Sequence, residues 1–220
     1  MDYKNLKVNK PWGYEYLAFE CKMSATWFLN LTYNEKTSLH CHPKKKTGFV
    51  LLDGEVEIDL GFYKKKILKA PDKIMIRPGL FHCTKAISKE GAKILEIESP
   101  VDKEDLVRFK DEYGRENSPY EGKNYMEELK NEDLMFEDIE KKNDQTINFL
   151  KRKLNLKKIL KKDDLLIQDK NSIFAILDKG LYSDDDKLVL SPGDIIRYDT
   201  IKKLSSVFHL RKYLTILMIN

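Results

Sequence analysis

The chain has 220 residues, 41% hydrophobic and 35% charged, with 40 Lys and Arg against 36 Asp and Glu for a formal charge of +4. That length supports one large domain or two small ones around a proper core. A basic excess this small, with no recognition-helix or zinc-finger pattern, argues against a dedicated nucleic-acid binder and leaves at most a local anion site.

The opening, MDYKNLKVNKPWGYEY, lacks the apolar core of a secretory signal, and no run reaches the length of a membrane span, so a cytoplasmic protein without membrane partners is expected. Lys10-Pro11-Trp12-Gly13 reads as a turn. Trp27, Leu29, Leu31 and Tyr33 then alternate with smaller or polar residues at strand period. Thr37 to His42 reads as a short strand on which His40 and His42, two apart, project to the same side, where one metal ion could touch both. Gly48 to Leu52 runs into the hairpin signal Asp53-Gly54, and beyond it Val56, Ile58 and Leu60 alternate with Glu55, Glu57 and Asp59. Ile74 and Ile76 lead into Arg77-Pro78-Gly79, a turn that would aim His82 from a fixed position as a third nitrogen ligand. Glu96 and Glu98 share a strand face. If that face lines the interior, one of them could act as a general base; otherwise it is the wet face, with Leu95 and Ile97 as core.

Many short strands with regular turns and no convincing helix predict a mainly β sandwich or barrel over residues 1–115. Asp102 to Arg108 could open a short helix. Residues 116–160, rich in Lys, Glu, Asp and Asn, read as a polar helical connection or a solvated linker. Residues 161–220 regain strand character and repeat the order of 49–77: an apolar strand, a Gly180 turn, a strand, Ser191-Pro192-Gly193-Asp194 and a further strand. A second, smaller β module on the same plan, without histidine ligands, is expected. The three cysteines, Cys21, Cys41 and Cys83, lack a CxxC pair, so neither a disulfide framework nor a zinc knot is indicated. His209 stands outside any motif. Lys44, Lys45 and Lys46 could present ammonium groups to an anion or simply be solvated, and Arg77 offers a fork that can grip an anion. Trp12 and Tyr14 read as packing.

His40-x-His42 with Gly54, followed by Arg77-Pro78-Gly79-Leu80-Phe81-His82, resembles the two motifs of the cupin superfamily, whose fold is a double-stranded β-helix barrel. Lys10-Pro11-Trp12-Gly13, Asp105 to Arg108 and Asp111-Glu112-Tyr113-Gly114-Arg115 look like the flanking signatures of its type II phosphomannose isomerase-like members. The resemblance covers roughly residues 10–115. It implies a second, degenerate cupin-like module after the first, a divalent metal ion (zinc, iron or manganese) on His40, His42 and His82, and a homodimer. It also implies an anionic sugar substrate near Lys44, Lys46, Arg108, Tyr113 and Arg115. The implied activity is a mannose-6-phosphate isomerase-like reaction on a sugar phosphate or nucleotide-sugar intermediate of surface-polysaccharide synthesis, with Glu96 and Arg77 as catalytic residues. A non-haem iron dioxygenase, an epimerase or a non-catalytic sugar-binding module are the alternatives on the same barrel. The chain departs from the first motif where a glutamate ligand is expected, because Lys46 and Thr47 stand there.

Overall fold

The computed structural model of the protein describes residues 3–61, 64–116, 123–166 and 169–220. Its first part contains β1 (Leu6–Lys10), β2 (Gly13–Glu20), β3 (Ala25–Leu31), β4 (Leu39–Cys41), β5 (Lys46–Asp53), β6 (Glu55–Asp59), β7 (Lys66–Lys69), β8 (Asp72–Ile76), β9 (Cys83–Ala86), β10 (Ala92–Ser99) and β11 (Val107–Lys110). There follow β12 (Met126–Glu128), β13 (Asp144–Phe149), β14 (Arg152–Ile159), β15 (Ile173–Lys179), β16 (Leu181–Tyr182), β17 (Leu188–Leu190), β18 (Ile195–Arg197), α1 (Tyr198–Val207) and β19 (Leu214–Ile219).

The fold is mainly β, as expected, and its first half is a barrel of facing antiparallel sheets. A seven-stranded sheet in the order β12-β1-β2-β3-β10-β5-β8 is faced by the smaller sheets β7-β6-β9 and β11-β4. The strand alternation explains the packing, since successive side chains point to opposite faces. Trp27, Leu29, Phe49, Leu51 and Ile94 enter one core with Val56, Ile58 and Leu68 of the smaller sheet. Their neighbours Phe28, Val50, Leu95 and Ile97 enter a second core on the other face. The Asp53-Gly54 hairpin forms with Gly54 at φ 82, where an added Cβ would stand 2.3 Å from the Gly91 carbonyl; only glycine meets both demands.

The second core joins the two halves. Leu154, Leu156, Ile173, Ala175, Leu217 and Ile219 of the five-stranded sheet β13-β14-β19-β15-β18 pack against the outer face of the seven-stranded one. At the seam Gly48 leaves room for Ile195; a Cβ there would lie 2.3 Å from Ile195 Cδ1 and 2.9 Å from Met75 Sδ. Gly48→Val is therefore expected to destabilise the protein by about 1–3 kcal/mol through overpacking, seen as a Tm lowered by several degrees in thermal melts.

The repeat read in the sequence is present in the topology. The order β14-β19-β15-β18 reproduces β3-β10-β5-β8, and β16 pairs with β17 as β6 does with β7. The chain position of β9 is taken by α1, a helix the sequence reading did not anticipate. Its Tyr198 and Ile201 pack with Leu165, Phe174 and Ile216 into a filled interior.

Two expected helices are absent among the described residues. Between residues 123 and 160 the described chain holds a 3-10 turn and strands β12, β13 and β14, where the sequence suggested a helical connection; residues 117–122 lie outside those described. β13 and β14 form a hairpin whose turn carries Leu150 at φ 54. A leucine there hides the glycine or asparagine signal that normally announces such a turn. Asp102 to Arg108 likewise forms turns leading into β11. Asp105 accepts hydrogen bonds from the Lys44 and Lys45 amides at 3.0 and 2.8 Å, so its loop is docked by tertiary contacts where a helix was expected.

Candidate metal centre and anion cavity

His40 sits on β4, His42 just after it and His82 just before β9. The first and last are locked by reciprocal backbone hydrogen bonds, His40 N–H to His82 O at 3.0 Å and His82 N–H to His40 O at 2.8 Å. The imidazole centroids lie 4.4 Å apart for His40 and His82, 5.1 Å for His40 and His42, and 5.6 Å for His42 and His82. One ring nitrogen from each falls within 4.8 Å of the others.

Each Nδ1 is tied to a backbone carbonyl: His40 to Ser38 O at 2.8 Å, His42 to Asp105 O at 2.6 Å and His82 to Leu80 O at 3.0 Å. A carbonyl can only accept, so each Nδ1 carries the hydrogen and each Nε2 keeps its lone pair. The Nε2 atoms of His42 and His82 are buried and have no hydrogen-bond partner. Such orphaned acceptors are costly in a protein interior unless something occupies them, and an ion does so. Burial, reinforced by His82 and His42, lowers the His40 pKa well below its ordinary value. Burial and Lys45 lower that of His42, and burial brings His82 to about 4. Neutral imidazoles are the form that binds metal. The residues present therefore fit a divalent cation.

A second set of converging donors, His42, Glu96 and Glu98, shares His42 with the first. Both faces of β10 are buried, which resolves the two readings of its glutamates: Glu96 and Glu98 line the barrel interior, and Leu95 and Ile97 serve the inter-sheet core. Glu98 is the cross-strand partner of Thr47. The carboxylate missing from β5 is thus present one strand away. Lys45, 1% exposed, donates to Glu98 Oε1 at 2.7 Å. Burial alone would raise the Glu98 pKa, but Lys45, Lys103 and His42 hold it below its ordinary value. Glu96 has no such partner; burial and the charge of Glu98 push it up to about 8.

The cavity around these groups has a volume of about 70 Å³. It is lined by Lys10, Lys45, Lys103, Arg108 and Arg115 against Glu15, Glu96 and Glu98. Glu15 gathers Lys10 at 3.5 Å and Lys103 at 3.1 Å. Burial would lower the pKa of Lys103, but Glu15, Glu98 and Glu96 raise it, so it stays charged. Trp12 also lines the cavity, whereas Tyr14 packs against the inter-sheet core.

Of the residues proposed from sequence, His40, His42, Glu96, Arg108 and Arg115 line this cavity, and His82 joins them through its imidazole. Arg108 is paired in register with His40. Arg115 is held by Asp111 at 2.7 Å. The structure does not bring the others to it. Arg77 is exposed at the end of β8, because Ile74 and Ile76 take the inward positions, and lines a separate depression with Leu60, Pro78 and Phe81. Lys44 is exposed, and Lys46 reaches away to Ser191 Oγ at 2.6 Å and Asp194 Oδ1 at 2.7 Å. Tyr113 donates to Glu35 Oε2 at 2.6 Å and does not line the cavity. His209 lies 3.7 Å from Asp184 in the second module. The sequence reading missed Lys45 as an inward residue, although strand parity with Thr47 and Phe49 would have found it. It also missed Glu15 and Lys103, for which no motif signal exists.

The metal-free protein is expected to be most stable near pH 6.5. Below 6.5 the unfolded histidines take up protons that the folded ones refuse, so stability falls as pH falls. Glu96 acts in the opposite sense: between its unfolded value of 4.5 and about 8 the folded state keeps a proton that the unfolded chain has released, so stability falls as pH rises. Three groups outweigh one below 6.5, and between 6.5 and about 8 Glu96 sets the direction. Urea titrations of chelator-treated protein at pH 5, 6.5 and 8 check the order.

No protein-family model and no curated protein matches the sequence. Among solved structures, an uncharacterized conserved protein with a double-stranded beta-helix domain from Klebsiella pneumoniae is similar over 44% of this chain and 84% of its own, with TM-score 0.41 and 18% identity. KdgF from Halomonas sp. is similar over 42% and 84%, with TM-score 0.39 and 15% identity. DMSP lyase DddQ from Ruegeria pomeroyi is similar over 40% and 44%, with TM-score 0.37 and 17% identity. Among the described residues no helix is long and apolar enough to cross a membrane.

Proposed function

We propose that the chain is a metal-dependent enzyme that moves a proton on a small anionic sugar, as an aldose–ketose isomerase does. One observation carries this reading: three neutral, backbone-anchored imidazoles each bring a ring nitrogen within 4.8 Å of the others beside two buried carboxylates, in a cavity where five basic side chains face three acidic ones. His40, His42 and His82 would hold a divalent ion, zinc, iron or manganese, with Glu98 completing the set from β10. When bound, that ion supplies Lewis acidity toward a carbonyl or hydroxyl oxygen.

The chain's own groups do the rest. Glu98, fixed by Lys45, stays ionised. Glu96, poised near neutrality, takes the proton from the carbon beside the carbonyl and returns it to the carbonyl carbon. The hydroxyl proton meanwhile passes from the neighbouring oxygen to the carbonyl oxygen, so that the old carbonyl becomes the alcohol and the old alcohol the carbonyl. Lys10, Lys103 and Arg108 hold the anionic end. Arg77, placed on the outer surface, has no part in this scheme.

The test is mannose 6-phosphate incubated with protein loaded with one metal at a time in D2O, followed by NMR. Metal-dependent formation of the ketose, with solvent deuterium incorporated at its C1, is expected. Absence of exchange with every metal, together with oxygen consumption on iron(II), would replace the isomerase by an oxygenase.

A further inference from the structure

The Glu98 carboxylate stands close to a strand end, and strand ends fray unless something holds them. Lys46 opens β5, Ser99 closes β10, and the two are cross-strand partners. The adjoining rung of the ladder is Thr47 opposite Glu98. Beyond Ser99 comes Pro100, which has no N–H to give to a ladder. Lys45 and Glu98, joined at 2.7 Å, are therefore each one residue from the place where pairing stops.

That end is gripped from outside by the second module. Side chains alternate across a strand, so Lys46 and Ser99 look away from the cavity while Lys45 and Glu98 look into it. Against the outward pair lies the turn Ser191-Pro192-Gly193-Asp194. Asp194 divides its carboxylate. Oδ2 accepts from the Ser191 amide at 2.7 Å and the Ser191 hydroxyl at 3.1 Å, which holds the turn, and Oδ1 accepts from Lys46 Nζ at 2.7 Å. Lys46 Nζ also donates to Ser191 Oγ at 2.6 Å. Gly193 comes so near that an added Cβ would stand 2.9 Å from Ser99 Cβ and 3.2 Å from Lys46 Cγ. One turn thus touches both members of the terminal rung. The turn is itself fixed to β15, where Gly193 N–H donates to Ile176 O at 2.8 Å and Ile176 N–H to Asp194 O at 2.9 Å.

We propose that Asp194 is a positioning residue of the metal centre. Through Lys46 it holds the terminal rung of β5 and β10, and so keeps Lys45 and Glu98 in the arrangement that presents a carboxylate beside the imidazoles. The second module thereby takes part in the site from behind the sheet. This rests on the metal-enzyme reading only in taking Glu98 as a ligand, and the clamp itself can be measured without a metal.

Cobalt(II) is the probe, titrated into the full-length, chelator-treated chain and followed by its visible absorption, for the wild type, Asp194→Asn, Glu98→Gln and the double variant. Asparagine keeps an oxygen for Ser191 but turns an amide N–H toward the Lys46 ammonium, so the turn survives and the ion pair is lost. Asp194→Asn should weaken cobalt(II) binding by about tenfold, the lower end for residues that support a ligand, and move the spectrum toward that of Glu98→Gln. In the Glu98→Gln background the same change should cost less than about twofold, because residues that act through one group are not additive. Arg197→Gln cuts another tie between the modules, to Asp72 at 2.6 Å, at the far end of β8 where Asp72 pairs with Leu51; it should leave affinity and spectrum unchanged. Unaltered binding in Asp194→Asn, an equal loss in the Glu98→Gln background, or a loss matched by Arg197→Gln would overturn the proposal. If the wild type takes up no cobalt(II), the metal reading fails and amide hydrogen exchange tests the clamp alone. Exchange at the Lys46 and Ser99 end of the ladder that is at least about tenfold faster in Asp194→Asn, with β2 and β3 unchanged, upholds it, and unaltered exchange overturns it.

Discussion

Replacing His82 by alanine is expected to lower metal affinity by more than about 100-fold, beyond the cost of losing a hydrogen-bonded partner of a ligand. His82 is 0% exposed and its Nε2 has no protein partner, so the change removes a donor without breaking another contact at that atom. Metal content after dialysis, measured by plasma mass spectrometry, reads the effect. Arg77→Ala and Lys44→Ala serve as controls and should retain full metal, since both side chains are exposed and outside the cavity. The source of the carboxylate can be read in the same assay. Glu98→Gln should weaken binding, and Glu98→Thr combined with Thr47→Glu should restore it, because directly opposed residues on neighbouring strands have Cβ atoms about 5 Å apart. Undiminished metal in His82→Ala would remove the centre from consideration.

Glu96→Gln should leave metal content and fold intact and reduce turnover by about 100- to 10,000-fold, the usual contribution of a positioned acid or base. Glutamine copies the shape of the protonated carboxyl, which is the form burial and Glu98 favour up to about pH 8. The wild-type rate should climb with pH as Glu96 ionises, with an inflection at or below about 8, since a neighbouring cation eases loss of the proton. In Glu96→Gln that inflection disappears. Loss of metal along with activity would instead make Glu96 a ligand.

Much of this architecture was legible before the coordinates, for identifiable reasons. Strand period and the Asp53-Gly54 turn gave β5 and β6, and the two-residue spacing of His40 and His42 with the Pro78-Gly79 turn gave the three converging histidines. Both are local signals, carried by neighbours in sequence. The failures were of another kind. Lys44 to Lys46 read as one run, either solvated or facing an anion, yet Lys45 is buried because Glu98, 53 residues away, supplies its countercharge. Lys103 and Glu15 are 88 residues apart and find each other only once the barrel closes. β14 carries Leu154 and Leu156 at period two, but Lys153, Asn155 and Lys157 fill the alternate positions and a leucine occupies the left-handed turn before it, so composition masked the pattern. The helix α1 was hidden because its apolar residues are sparse, with only Tyr198, Ile201 and Ser205 buried along it.

The strand that carries Glu96 and Glu98 has no wet side. Phe28, Val50, Leu95 and Ile97 look away from the imidazoles and are covered by residues beyond 130. A fragment stopping near Arg115 would keep every candidate donor but bare that apolar surface, at about 1.5–3 kcal/mol per large side chain. The half that carries the histidine triad and its companion module therefore form one cooperative solid, and dissecting the chain at the boundary its motifs suggest would yield a sticky, poorly soluble piece.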